Sequence, residues 1–145
     1  MARKKNETPR DNRAKVTLAG IEFEVEASNG ACLAYANEFR GKLDAPFTGN
    51  LMGDILASTR ALSANDGTEM LALENIPRIV WAMAFAAGDK HSTYEGLCKE
   101  LEHETVGYYE LADACGEVFR LADRTFFRLP ERPADAVEPD EAQEG

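Results

Sequence analysis

Between Lys15 and Glu26 apolar side chains stand at positions 16 and 18 and then at 21, 23 and 25, with polar residues at most positions between. Alternation of this kind marks a half-buried strand, and its phase slips by one at Ala19-Gly20. A two-residue turn at that point sets Leu18 opposite Ile21 and Val16 opposite Phe23 on one apolar face. Thr17 then lies opposite Glu22, and Lys15 opposite Glu24, on the other. An isolated hairpin is marginal in water, so its apolar face requires helices to rest on.

The rest of the chain supplies them. Ala31 to Arg40 is helix-compatible, with Ser28-Asn29-Gly30 as its entry, Leu33, Ala36 and Phe39 near one face, and Gly41 as a stop. After a loop containing Pro46 and Gly49, Leu51, Met52, Ile55, Leu56 and Leu62 recur at helical spacing up to Asn65-Asp66-Gly67. Asn75-Ile76-Pro77 opens a third helix, since proline is tolerated in a first turn. Its body, Arg78 to Ala87, is apolar on nearly every side, the pattern of a helix packed from several directions, and Trp81 and Met83 read as core. Gly88 and Asp89 end it. Ser92-Thr93-Tyr94-Glu95 forms a capping box, Ser92 and Glu95 serving each other, for a short helix to about Leu101. Last comes a stripe of Tyr108, Leu111, Ala112, Cys115, Val118, Phe119, Ala122 and Phe126, widened by Leu121, on a helix from about Val106 to Arg128. The expected fold is α+β, mainly α: an N-terminal β-hairpin packed on a bundle of about five helices, one domain over residues 14–129.

Charge divides the chain differently. Residues 1–15 carry six Lys/Arg against two acids, residues 130–145 carry six acids against Arg132, and the whole chain has a net charge of -10. The sequence therefore predicts a disordered basic arm over residues 1–13 and a disordered, proline-bearing acidic tail over 130–145. A body this acidic repels phosphate backbones, so a DNA-binding regulator would rest on the short arm alone, and no nucleic-acid partner is expected. The longest nearly apolar run, Ile79 to Gly88, is about half of what a bilayer span needs, and no signal-peptide pattern opens the chain. A cytoplasmic protein is expected, with no membrane partner.

Candidate chemistry is sparse. Cys32, Cys98 and Cys115 are odd in number, widely spaced and in apolar contexts, which reads as three reduced core cysteines with no bridge. Of the two histidines, His91 falls in a loop and His103 begins His-Glu-Thr-Val-Gly. That run puts Gly107 where a zinc-protease motif requires its second histidine, so both histidines read as solvent-facing, with no metal site. Glycine-rich phosphate loops and a nucleophile elbow are missing, and the carboxylates sit mostly among other charges on exposed faces. No cofactor and no catalytic group is expected, and the chain does not read as an enzyme. What remains is interaction surface. Phe127 and Leu129 continue past the final stripe and lie off it, either capping the core or forming a small apolar patch for a partner.

The order of elements resembles the tail assembly chaperones of long-tailed bacteriophages and prophages. The resemblance lies in the hairpin around Gly20, the segment Asn37-Glu38-Phe39-Arg40-Gly41, the run Trp81-Ala82-Met83-Ala84, and Thr93-Tyr94-Glu95 with Leu97 and Leu101, and it covers about residues 15–101. It implies a protein of the bacterial host cytoplasm, not of the mature virion, that binds and solubilises the tape measure protein and helps recruit tail tube protein around it. Self-association into a homo-oligomer is compatible with that role. The alternative is another phage or bacterial protein-interaction or scaffolding module, of head-tail assembly type.

Overall fold

A computed structural model describes residues 11–129, so the acidic tail and most of the basic arm lie outside the described residues. Two antiparallel strands, β1 (Arg13–Leu18) and β2 (Ile21–Glu26), precede five helices: α1 (Asn29–Phe39), α2 (Leu51–Ala64), α3 (Glu69–Ala86), α4 (Tyr94–Leu101) and α5 (Tyr108–Asp123). The fold is α+β and mainly α, as the pattern predicts.

The hairpin register follows the sequence pattern pair by pair, with Leu18 opposite Ile21, Val16 opposite Phe23, Thr17 opposite Glu22 and Lys15 opposite Glu24. Pairing extends to Arg13 opposite Glu26, so the first strand begins inside the segment read as arm. Ala19 (φ 55°) and Gly20 (φ 78°) both take the left-handed conformation that a two-residue turn needs to match the strand twist. Glycine accepts it freely, whereas the alanine carries a steric cost of about 1 kcal/mol.

The apolar face of the hairpin, Val16, Leu18, Phe23 and Val25, is buried on the helices. At the centre runs α3, which touches α1, α2, α4, α5 and β2. Its residues from Ile79 to Ala84 are all buried, so a helix apolar all round occupies the position its sequence demands. Each such Ile, Val or Met contributes roughly 1.5–3 kcal/mol by leaving water.

Several local expectations are corrected. α3 starts at Glu69, so Pro77 lies inside the helix rather than in its first turn. The helical pattern began earlier, with Ala72, Leu73 and Ile76 on the buried side, and packing on both flanks holds the helix through the missing proline N–H. α4 is capped by Thr93, whose Oγ1 accepts from the Gly96 N–H at 3.0 Å, and not by Ser92 with Glu95. In α1 the buried face is Ala31, Tyr35 and Phe39, and Leu33 points outward. α5 ends at Asp123, and its buried side is Ala114, Cys115, Val118, Leu121 and Ala122, which leaves Tyr108 exposed.

One polar cluster is built into the core. Asp54, on the buried side of α2, accepts hydrogen bonds from Tyr35 Oη (2.8 Å), Thr48 N–H (2.9 Å), Thr48 Oγ1 (3.2 Å) and Gly49 N–H (3.0 Å). Tyr35 Oη in turn accepts from Asn75 Nδ2 at 2.9 Å, and Arg78 donates to Asn75 Oδ1 at 2.9 Å. Burial pushes the Tyr35 hydroxyl far above the ordinary tyrosine range, so it stays a donor. The cluster ties the loop before α2 to α1 and α3. Gly49 (φ 88°) passes so near Arg40 that an added Cβ would stand 2.5 Å from its Cα.

Candidate interaction surfaces

The two residues singled out in the sequence end up in different places. Beyond α5 the chain folds back: Phe127 N–H donates to the Ala122 carbonyl at 2.9 Å, and Thr125 Oγ1 donates to the Leu121 carbonyl at 2.6 Å. These bonds satisfy carbonyls that a helix end leaves open, and they turn Phe127 onto the core, where it packs half-buried beside Phe126. Leu129 stands free, 84% exposed. Phe127 therefore acts as a cap on the core and Leu129 as a surface residue.

Other apolar side chains reach solvent. Tyr108 and Tyr109 open α5 as an edge-to-face pair 5.0 Å apart, and Tyr109 is 79% exposed. Met70 and Leu71 are exposed in the first turn of α3. Phe85, near the other end of that helix, stacks on the buried Trp81 at 5.6 Å while its far edge faces water. The periodic pattern marks Leu33, Met52 and Tyr108 as inward-facing, and the structure turns all three out. Tyr109 and Phe85 carry no sequence signal of exposure except their place beside, rather than on, the buried side of their helices.

Several ionisable groups link one element to another. His91 is buried, against the expectation of a solvent-facing ring. Its Nδ1 lies 2.5 Å from Asp89 Oδ2 and its Nε2 2.5 Å from Glu100 Oε1, and its backbone carbonyl accepts from Trp81 Nε1 at 3.0 Å. The hydrogen bond from His91 holds the Glu100 carboxyl below its ordinary range, helped by Lys90 at 3.5 Å. With both ring nitrogens engaged, His91 joins the end of α3 to α4. His103 is 89% exposed, as expected. Cys115 is buried, and burial pushes its thiol up to about 11; Cys32 is half-buried, and burial raises it too. Cys98 is exposed, which corrects the reading of three core cysteines, and none of the three is bridged. Among the described residues no group of three or more His, Cys, Asp or Glu is placed to hold a metal ion, and no helix is long and apolar enough to cross a membrane.

No family model, curated protein or solved structure matches the chain. The surface must therefore be read from its own chemistry. Arg13 is held by Glu26 at 2.7 Å and Glu24 at 3.2 Å, which raises its pKa further, and Arg120 by Glu117 at 2.7 Å. These pairs leave most carboxylates of an acidic body facing water, with separate apolar side chains set among them.

Proposed function

We propose that this chain is a protein-binding assembly chaperone of the phage tail type. It binds and solubilises the tape measure protein in the host cytoplasm and helps recruit tail tube subunits to it. The observation that carries this reading is the exposure of Tyr109, Tyr108, Met70, Leu71, Phe85 and Leu129 on a strongly acidic body. A tape measure protein is a very long amphipathic helix that aggregates when bare. Apolar side chains presented singly suit such a seam, because each makes a weak contact and many copies add up. The charge of each copy then adds solubility to the coated helix.

The test is co-expression with the tape measure protein of the same phage or prophage, with and without this chain, followed by pull-down and a solubility assay. A soluble complex is the expected result. Insoluble tape measure protein with no complex would move the assignment to the other interaction modules.

A further inference from the structure

The ladder in the hairpin is carried by alternate residues of β1. Asn12 continues it beyond the paired strand, its carbonyl accepting from the Ala27 N–H at 2.8 Å, so the even-numbered residues face β2. The odd-numbered residues Arg13, Lys15 and Thr17 turn their backbone groups to the outer edge. Side chains from α5 and from the residue that caps its C-terminus seal this edge at both ends. Glu110 Oε2 accepts from the Ala19 N–H at 2.6 Å, and Arg124 donates to the carbonyls of Asp11 and Arg13 at 3.0 Å each. Between the seals, the N–H and C=O groups of Lys15 and Thr17 have no hydrogen-bond partner among the described residues.

That bare stretch opens on a cleft of about 500 Å³ between β1 and α5, lined by Lys15, Thr17, Glu110, Asp113, Ala114 and Glu117. Three carboxylates face one cation there. Lys15 also lies 3.9 Å from Glu22 across the hairpin, Glu117 is engaged by Arg120, and Asp113 has no ion-pair partner among the described residues.

We infer that this cleft is a docking slot for an extended, lysine- or arginine-bearing segment of a partner protein, which adds to the edge of β1. Free backbone donors and acceptors require a partner whose own backbone is unpaired, which excludes a helix and selects an extended strand. Carboxylates along the other wall select its charge: a cationic side chain entering the slot meets Asp113 and Glu110, and an acidic one is repelled. The slot is separate from the apolar side chains assigned to the tape measure helix, so either proposal can fail without the other.

The test is a two-dimensional NMR titration of the full chain with a synthetic hexapeptide alternating lysine with threonine, and with its counterpart alternating glutamate with threonine. The expected result is saturable binding of the basic peptide only, with shifts at the Lys15 and Thr17 amides and across residues 110–117. Thr17→Pro removes an outward N–H that the hairpin does not use, and Pro is tolerated at such an edge position. It should weaken binding at least tenfold, and Asp113→Lys, on exposed helix surface, at least fivefold. If Thr17→Pro fails to fold, Asp113→Lys decides. Three results would each overturn the proposal: no saturable binding at millimolar peptide, binding indifferent to both variants, or Lys15 and Thr17 amides already protected from hydrogen exchange in the free chain, which would mean the edge is filled from within.

Discussion

Replacing Asp54 by alanine removes a carboxylate that collects four hydrogen bonds inside the protein. Afterwards the N–H of Gly49 and the hydroxyl of Tyr35 lose their acceptor in a place water scarcely reaches, and the N–H of Thr48 loses its own nearer the surface. An orphaned buried donor costs about 1–3 kcal/mol. Because Thr48 is exposed and can be rehydrated, we expect Asp54→Ala to lose about 3–4 kcal/mol, a large share of the roughly 5–15 kcal/mol that holds a domain folded. For a domain of this size that is a fall in Tm of roughly 10–15 °C. Asp54→Asn keeps the shape and one oxygen acceptor and should lose about 1–2 kcal/mol. Urea unfolding followed by circular dichroism and by the fluorescence of Trp81, the one tryptophan, measures both. Trp81 reports on the right place, because it packs edge-on against Phe39, which packs in turn against Tyr35. A double-mutant cycle with Tyr35→Phe should give a coupling of about 1 kcal/mol or more. A loss below about 1 kcal/mol for Asp54→Ala, or no coupling, would refute the view that this cluster fixes the loop before α2.

Further outcomes follow from single positions. Ala19→Gly relieves a left-handed alanine without touching its bond to Glu110, and should raise stability by about 0.5–1 kcal/mol in thermal melts. The folded Glu100 carboxyl titrates below its unfolded value of about 4.3, so its contribution is present above that pH and is lost as the pH falls through the folded pKa. Glu100→Gln should accordingly flatten the loss of stability between about pH 5 and pH 3, as read by urea midpoints across that range. Phe127→Ala should cost about 1–3 kcal/mol as half-buried packing is lost, whereas Leu129→Ser should change stability by less than about 0.5 kcal/mol. Denaturation midpoints of the two variants, measured side by side, check that division.

The parts of this fold that sequence makes legible are those in which one local period decides the outcome. The hairpin is the clearest: a one-residue slip would move every apolar side chain to the solvent face, so the phase jump at Ala19-Gly20 admits a single register. The all-apolar body of α3 is nearly as clear, since such a helix has no stable place except the centre. Where two local signals compete, reading fails. Ser92 and Thr93 are adjacent capping residues and only the chain's path selects Thr93. Pro77 reads as a helix start until the packing of Ala72 and Leu73 carries the helix past it. Least legible are groups whose partners come from distant segments. Asp54 looks like a surface carboxylate on α2 because its donors sit on α1 and on the preceding loop, and His91 looks solvent-facing because Glu100, Asp89 and Trp81 converge on it only in three dimensions. The candidate surface suffers in the same way. Tyr108 fits the helical stripe by spacing and is turned out because the helix begins at that residue.

The seals on the outer edge of β1 set an order of events during synthesis. Glu110 lies 91 residues after Ala19, and Arg124 lies 113 residues after Asp11. The two strands leave the ribosome first, yet α1 to α4 must follow before Glu110 can cover one end of that edge, and the whole of α5 before Arg124 can cover the other. Throughout translation the nascent hairpin presents unpaired backbone to every neighbouring chain on the polysome, which is a hazard for misassembly. Arg13 and Lys15 of β1 keep that edge charged, which disfavours pairing with a like edge while it waits. The same residues that decorate the finished surface thus guard the chain during the seconds when the fold cannot.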